Sequence, residues 1–503
     1  MSAAAEPPAA PVPAGEWGST RDAAEKGWGL SEEPAGSEQP ELKRVLGPGL
    51  LLLFVVGDIL GTGVYALTGQ VAAEVGGAAW LPFLIAFGVA AVTACSYLEL
   101  VTKYPQAAGA ALYVQKAFGR RSVTFLVAFA VMCSGITSAA TASRFFAANL
   151  ETAFGFDWGR TGVMLIALTF MAVLAVVNLR GVGESARLNV VLTVMELGGL
   201  LLVLCAGLWA FAGAAEVDLS RVVAFETTGE RHAFVAVTAA TSLAFFAMVG
   251  FEDSVNMAEE TRDPVRVFPR VLLGGLTIAG VIYVLVSIVA VALVPVGDLR
   301  ASDTPLVEVV RIGAPGLPIA DILPFISMFA VANTALINML MASRLVYGMA
   351  RRRVLPPVLG RVHPRRRTPW VAIVFTTLVA LAVIVYVTLL ADSNAIALLG
   401  GTTSLLLLAV FAMVNIAVLV LRRDVPEDRT TFRAPTALPI LGAVASLYLV
   451  TPASGRPVQQ YLLALVLVAV GVVLFGGTAM VNRRLGIQMT AGADDIDPAA
   501  PPR

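Results

Sequence analysis

The sequence predicts an all-α integral membrane protein of about twelve transmembrane helices. Three observations carry that expectation. The 503 residues are 57% hydrophobic and only 14% charged, with a mean hydropathy of +0.81, outside the range of soluble domains. Apolar runs long enough to cross a bilayer recur along the whole chain. The basic residues fall on alternate loops, as a multi-pass topology requires.

Residues 1–43 are rich in Ala, Pro, Gly and Glu and hold no apolar run, so a solvated, disordered tail is expected rather than a signal peptide or a span. The expected spans are 48–75, 79–101, 123–149, 161–179, 189–213, 234–258, 271–295, 318–348, 369–391, 395–421, 436–453 and 459–481. The eleventh is short and bracketed by Pro, which makes it the weakest. Segment 102–121 is too polar to span and reads as an amphipathic connection whose small residues let it pack closely against the bundle. Residues 486–503 read as a second solvated tail.

Charge placement fixes the orientation. Of 35 Lys and Arg, the loops on one side carry only Arg160, Arg221, Arg231, Arg300, Arg311 and Arg456. The other side holds both termini and the runs Arg351–Arg353, Arg365–Arg367, Arg422-Arg423 and Arg483-Arg484. The basic side faces the cytoplasm, so both termini are expected inside. Arg far outnumbers Lys, which points weakly to a GC-rich bacterial genome and hence to a bacterial inner membrane. The net charge is zero, so nothing suggests nucleic acid. Cys95, Cys133 and Cys205 lie in apolar runs, and His232 and His363 lie far apart; neither set has metal-ligand spacing, so no metal and no cofactor is expected.

Two spans are unlike inert anchors. The first contains Asp58 and then Gly61-Thr62-Gly63. Gly weakens a helix, and an ionisable group at membrane depth signals function. If the helix unwinds here, the following half presents free N–H groups and the positive end of its dipole, suited to a carboxylate. The preceding half ends in carbonyls near Ile59 and Leu60, suited to an ammonium group. Small residues can also serve helix packing, but the Gly-Thr-Gly spacing lacks that motif's four-residue period. The sixth span has a matching irregularity, Phe246-Ala247-Met248-Val249-Gly250-Phe251-Glu252. Its carbonyls complete an ammonium site, and Phe246, Met248 or Phe251 either packs on a substrate side chain or serves the core. Paired interruptions in two halves of a membrane protein point to a transporter's binding site.

Further polar residues sit in spans. Glu196 lies well inside the fifth with no basic residue within four positions, and a carboxylate there that takes and releases a proton is a coupling device; a neutral, hydrogen-bonded structural Glu is the alternative. Asn333, Thr334, Asn338 and Ser343 in the eighth span, and Ser134, Thr137, Ser138 and Thr141 in the third, either join helices or line a pocket. Arg344 has three candidate partners, Asp58, Glu99 and Glu252. Glu259 and Glu260 read as helix-end or salt-bridge residues.

At these residues the chain resembles the amino acid–polyamine–organocation superfamily. The resemblance rests on four elements in order: Gly57-Asp58-Ile59-Leu60-Gly61-Thr62-Gly63-Val64-Tyr65; Tyr97-x-Glu99 with the segment from Tyr104-Pro105 to Gly119; Phe245 to Glu252 with Ala258-Glu259-Glu260 and Asp263-Pro264; and Ser343-Arg344 through Tyr347-Gly348 to Leu355-Pro356. It covers about residues 45–485. It implies a LeuT-like inverted repeat of five plus five helices, 44–233 and 234–421, followed by two extra helices at 422–485. It also implies alternating access around the two broken helices. By analogy Gly61, Thr62 and Gly63 hold a substrate carboxylate, while Ile59, Phe246, Ala247 and Val249 offer carbonyls to its amine; Val64, Met248 and Gly250 complete the substrate-binding set. Ser138, Phe251, Glu252 and Asn333 are the pocket or gate candidates.

Two departures matter. Glu196 stands where some proton-coupled relatives carry Lys, and Asp58 replaces a residue that is usually small or apolar. The coupling chemistry therefore cannot be copied from those relatives; the expected function is a permease for an amino acid or related amine, not an enzyme, with proton coupling through Glu196 and Asp58. Antiport, sodium coupling and a transporter-like amine sensor are the alternatives; the modest tails count against the sensor. No acidic residue besides Asp58, Glu196 and Glu252 can anchor a cationic side chain, which favours a small or apolar substrate. If Asp58 instead neutralises a carboxylate-free amine, polyamines or amino alcohols are favoured.

Overall fold

The computed structural model describes residues 47–105, 109–180, 185–214, 217–227, 232–258, 260–390, 395–423 and 431–484. The tails at 1–43 and 486–503, part of the loop motif at 106–108, and Glu259 lie outside these residues. The helices are α1 (Pro48–Val75), α2 (Trp80–Lys103), α3 (Gly109–Phe118), α4 (Arg121–Phe154), α5 (Gly159–Arg180), α6 (Ser185–Trp209), α7 (Ala233–Ala244), α8 (Pro264–Leu293), α9 (Val296–Ala301), α10 (Pro305–Gly313), α11 (Ile319–Arg351), α12 (Trp370–Leu390), α13 (Ala395–Leu421), α14 (Ala437–Val450) and α15 (Val458–Arg484). The β structure among the described residues is one isolated bridge, Gly76 to Phe225.

Among the described residues, eleven helical segments are long and apolar enough to cross a membrane, counting Ala233–Met257 as one. The remaining expected span, the eleventh at 436–453, is the 14-residue α14. At about 1.5 Å per residue it reaches roughly 21 Å, short of a full hydrocarbon core. Pro435 precedes it and Pro452 comes after it, so neither end extends. A second difference lies at 296–317, read from sequence as a plain loop. It folds into α9 and α10, because Leu299, Leu306, Val307, Val309 and Val310 give it an apolar face to bury. The expected amphipathic connection after the second span is α3.

Burial ranks the spans. The most apolar window of α1 is 78% buried and those of Ala233–Met257 and α13 are 72%, against 28% for α5 and α15. The two interrupted segments and α13 are therefore the most buried spans. The outer helices turn large apolar residues outward, such as Leu165 and Val173 on α5, Leu378 on α12, Val444 on α14 and Val473 on α15. Acyl chains solvate such side chains as well as a protein core does.

In the interior, α1 packs on α6, α7 and α8, and α7 packs on α2 and α13. α2 lies against α8, α4 against α11 and α13, α5 against α12, and α6 against α11. Glycines set the closest approaches. A Cβ at Gly57 would lie 1.9 Å from Thr193 Oγ1 on α6, and one at Gly69 would lie 2.1 Å from the Leu299 carbonyl on α9. Towards the Arg-rich ends, Arg422 grips Glu99 through Nε to Oε1 at 2.7 Å and Nη2 to Oε2 at 2.6 Å. Arg344 is exposed, so of its three candidate partners Glu99 belongs to Arg422 instead.

Candidate functional site

In α1 the backbone of Gly61 leaves the helix, with φ 8° and ψ −155°, while α-helix continues on both sides. The carbonyls before this break have a donor that the sequence did not advertise. The Tyr283 hydroxyl on α8 lies 2.6 Å from Ile59 O and 2.8 Å from Leu60 O. A carbonyl accepts two hydrogen bonds, so Tyr283 fixes these groups and leaves further capacity. After the break, Thr62 is buried and its hydroxyl has no hydrogen-bond partner among the described residues.

The second break is longer. α7 stops at Ala244 and becomes a 3-10 turn at Phe245–Met248. Val249 is extended (φ −73°, ψ 145°), and Gly250 comes next at φ 124°, a conformation open to Gly and strained for other residues. A second 3-10 turn, Asp253–Met257, ends the segment without a return to α-helix. The polar run Glu252-Asp253-Ser254 and Asn256 competes for backbone partners and offers no apolar stripe to restart one.

The two breaks cross. A Cβ at Gly63 would lie 2.3 Å from the Ala247 Cα, and one at Gly250 would lie 2.5 Å from the Asp58 carbonyl. Backbone thus meets backbone on both sides of the crossing, and only Gly permits it. Thr334 of α11 approaches from a third direction, with Oγ1 3.1 Å from a Cβ placed on Gly61.

Carboxylates surround the crossing. Asp58 is 7% exposed and its Oδ2 has no partner, while Glu196 is fully buried with neither Oε partnered among the described residues. Glu252 accepts the Gly250 amide at 2.9 Å. Asp58 shares an electrostatic environment with Asp253, Glu252 and Glu196. Glu196 is placed by α6 lying alongside α1: Tyr65 donates its hydroxyl to the Glu196 carbonyl at 2.9 Å, and Thr193 faces Gly57 one turn earlier. A cavity of about 20 Å³, room for one water, lies beside the second break and is bordered by Ser134, Gly135, Glu252, Asp253 and Asn338.

Of the residues singled out from sequence, Asp58, Ile59, Gly61, Thr62, Gly63, Val64, Ala247, Met248, Val249, Gly250 and Glu252 gather at or beside the crossing. Phe246 leans on Gly400 of α13. Phe251 does not line the cavity. It sits in an aromatic cluster with Tyr97 at 5.8 Å and Phe411 at 5.2 Å, because it comes after the reversal at Gly250 and points back into the core. Ser138 is buried on α4, where its neighbour Thr137 bonds Thr403 of α13 at 2.7 Å and joins the two helices, while Ser134 one turn earlier borders the cavity. Asn333 is buried on α11, but its neighbour Thr334 is the residue that meets Gly61. Sequence reasoning missed Tyr283 and Thr193. A Tyr in the middle of an apolar span was the available signal for the first; the second had none.

Comparison with known proteins identifies the family. A family model described as amino acid permease matches residues 50–476. The chain is 32% identical over 345 residues to the chloroplastic cationic amino acid transporter 9 of Arabidopsis thaliana, covering 64% of this chain but only 58% of that protein. It is 27% identical over 460 residues to the methylthioribose transporter of Bacillus subtilis (strain 168), covering 88% of this chain and 94% of the relative. It is 25% identical over 434 residues to the branched-chain amino acid permease BcaP of the same organism, with 82% and 88% covered. The chain belongs to the amino acid permease family, within the amino acid–polyamine–organocation superfamily.

Proposed function

We propose that this chain is a secondary active transporter that takes an amino acid or related amine across a bacterial inner membrane, by alternating access coupled to protons. The observation that carries the reading is the crossing of two interrupted helices, both among the most buried spans. In this reading, amides from Gly61 to Val64 receive a substrate carboxylate, and carbonyls of Ile59 and of Phe246 to Val249 receive the amine. Complementary charge at opposed helix ends is how a dry interior binds a zwitterion.

An inverted five-plus-five repeat is part of the proposal, with α1, α2, α4, α5 and α6 matched to α7, α8, α11, α12 and α13. The helix pairings support it. The contact of α1 with α8 has its counterpart in α7 with α2, α1 with α6 in α7 with α13, and α4 with α13 in α11 with α6. The connection α3 after α2 is matched by α9 and α10 after α8. Cytoplasmic termini are inferred from the basic runs. The small cavity lies on the side where α4 begins with Arg121 and α11 ends with Arg351, so the crossing is nearest to opening inward.

Glu196 takes the proton-coupling role because it is a fully buried carboxylate with no counter-charge among the described residues, beside the first break. Asp58 assists it. The same unpaired carboxylates favour a substrate whose positive charge is not cancelled by its own carboxylate, such as an amino alcohol or a polyamine, as a second reading. The test is uptake of radiolabelled amino acids and amines by liposomes under an inward proton gradient. Accumulation is expected with the wild type; Glu196→Gln is expected to lose accumulation and keep one-for-one exchange. Intact accumulation in that variant removes the coupling role, and a response to sodium instead of protons replaces the ion.

A further inference from the structure

Arg456 lies in the short link between α14 and α15. Its position in sequence marks it as a loop charge, yet it is 6% exposed. It donates from Nε to Leu449 O at 2.7 Å, and from Nη1 to Gly401 O and Gln460 Oε1, both at 2.9 Å. Nη2 reaches Ser404 Oγ at 3.0 Å and Ser242 O at 3.4 Å. Ser404 also donates to Ser242 O, at 2.6 Å. No carboxylate among the described residues pairs with Arg456. Burying a guanidinium is costly, and here carbonyls, an amide oxygen and a hydroxyl offset the cost in place of an anion.

Ser242 belongs to the last turn of α7, two residues before its end at Ala244. The last four carbonyls of a helix have no donors within the helix, and the helix dipole puts negative potential there. The Phe245 N–H turns back to Thr241 O and Leu243 O, whereas the Ser242 carbonyl takes donors from other elements, Arg456 and Ser404; a cation is the favoured partner for that end.

We propose that Arg456 is a positioning residue for the second break: it caps the half-helix that ends at Ala244 and makes the α14–α15 pair part of the frame against which that break is set. Tyr283 does the corresponding work at the first break with a neutral hydroxyl. A strut whose only task was to join α14 to α15 would need Leu449 and Gln460 alone. Arg456 instead reaches past them to α13 and α7.

Hydrogen exchange on the purified full chain in lipid nanodiscs, without substrate, tests this. Arg456→Met is expected to speed exchange at 243–258 about 10-fold or more, with 48–60 at the wild-type rate. Acceleration confined to 437–484 overturns the proposal, since it marks a local strut. Equal acceleration at 48–60 overturns it as well, since it marks general loosening. If Arg456→Met does not fold, Ser404→Ala decides. It removes one donor to Ser242, so faster exchange at 243–258 supports the cap and an unchanged rate there overturns it.

Discussion

The two breaks differ in how much helix they give up. At the first, one residue leaves the helix within an element of 28 residues that otherwise continues unbroken. At the second, 12 residues of α-helix give way to irregular backbone that does not return to α-helix before Pro264. The difference traces to the residues just after each glycine. Gly63 leads into Val64, Tyr65, Ala66 and Leu67, all buried and able to rebuild a helix at once. Gly250 leads, past Phe251, into acidic and polar residues that favour turns. Two similar interruptions thus divide the work: the first is a hinge in a rod, and the second is a stretch of backbone held open by its neighbours.

The largest expected effect attacks the crossing itself. Gly63→Leu places side-chain atoms where the Ala247 backbone stands, and no rotamer avoids the Cβ. Binding and uptake of whichever compound the liposome screen identifies should both vanish; unchanged affinity would show that the crossing is not the site. Gly250→Ala is next. It forces Ala to φ 124° and a Cβ against the Asp58 carbonyl, a strain of about 1–3 kcal/mol before the clash is counted. A fall in thermal stability with at least a several-fold loss of uptake is expected, and a wild-type melting curve would mean the second break relaxes without cost. Tyr283→Phe sharpens the comparison from the other side. It withdraws the donor from Ile59 O and Leu60 O, and a buried group left unsatisfied costs about 1–3 kcal/mol. Denaturation of the variant should show that loss, and exchange should rise at 48–67 rather than at 243–258. The smallest effect is Phe251→Leu, which trims an aromatic cluster at about 0.5–1.5 kcal/mol per ring pair. Substrate affinity should stay unchanged; a raised KM would return Phe251 to the pocket.

Much of this molecule is legible in its sequence because a bilayer simplifies the problem. Every span must satisfy its own backbone, so apolar length and loop charge mark most spans directly. The breaks were legible for the same reason: Gly61-Thr62-Gly63 and Gly250 are costly in a spanning helix and therefore conspicuous. What failed has physical causes too. α14 is apolar but bounded by proline, so composition counts it while its 14 residues fall short of the length that marks a full span. α9 and α10 are too short to register as spans and helical only because they have α1, α6 and α8 to lie against. Phe251 has the composition of a pocket residue, and its direction depends on the φ of the glycine before it.

The sequence by itself determined the class of protein, the approximate spans, the side that carries the basic residues and the two places where helix gives way, because each is dictated by the cost of polar groups and glycines in hydrocarbon. Only the tertiary structure decided what meets at those places. That Gly63 touches Ala247, that Tyr283 and Arg456 reach the carbonyls before each break, and that Glu99 pairs with Arg422 are contacts across up to a few hundred residues of chain. Periodicity and propensity carry no information at that separation; the packing of one helix face on another does.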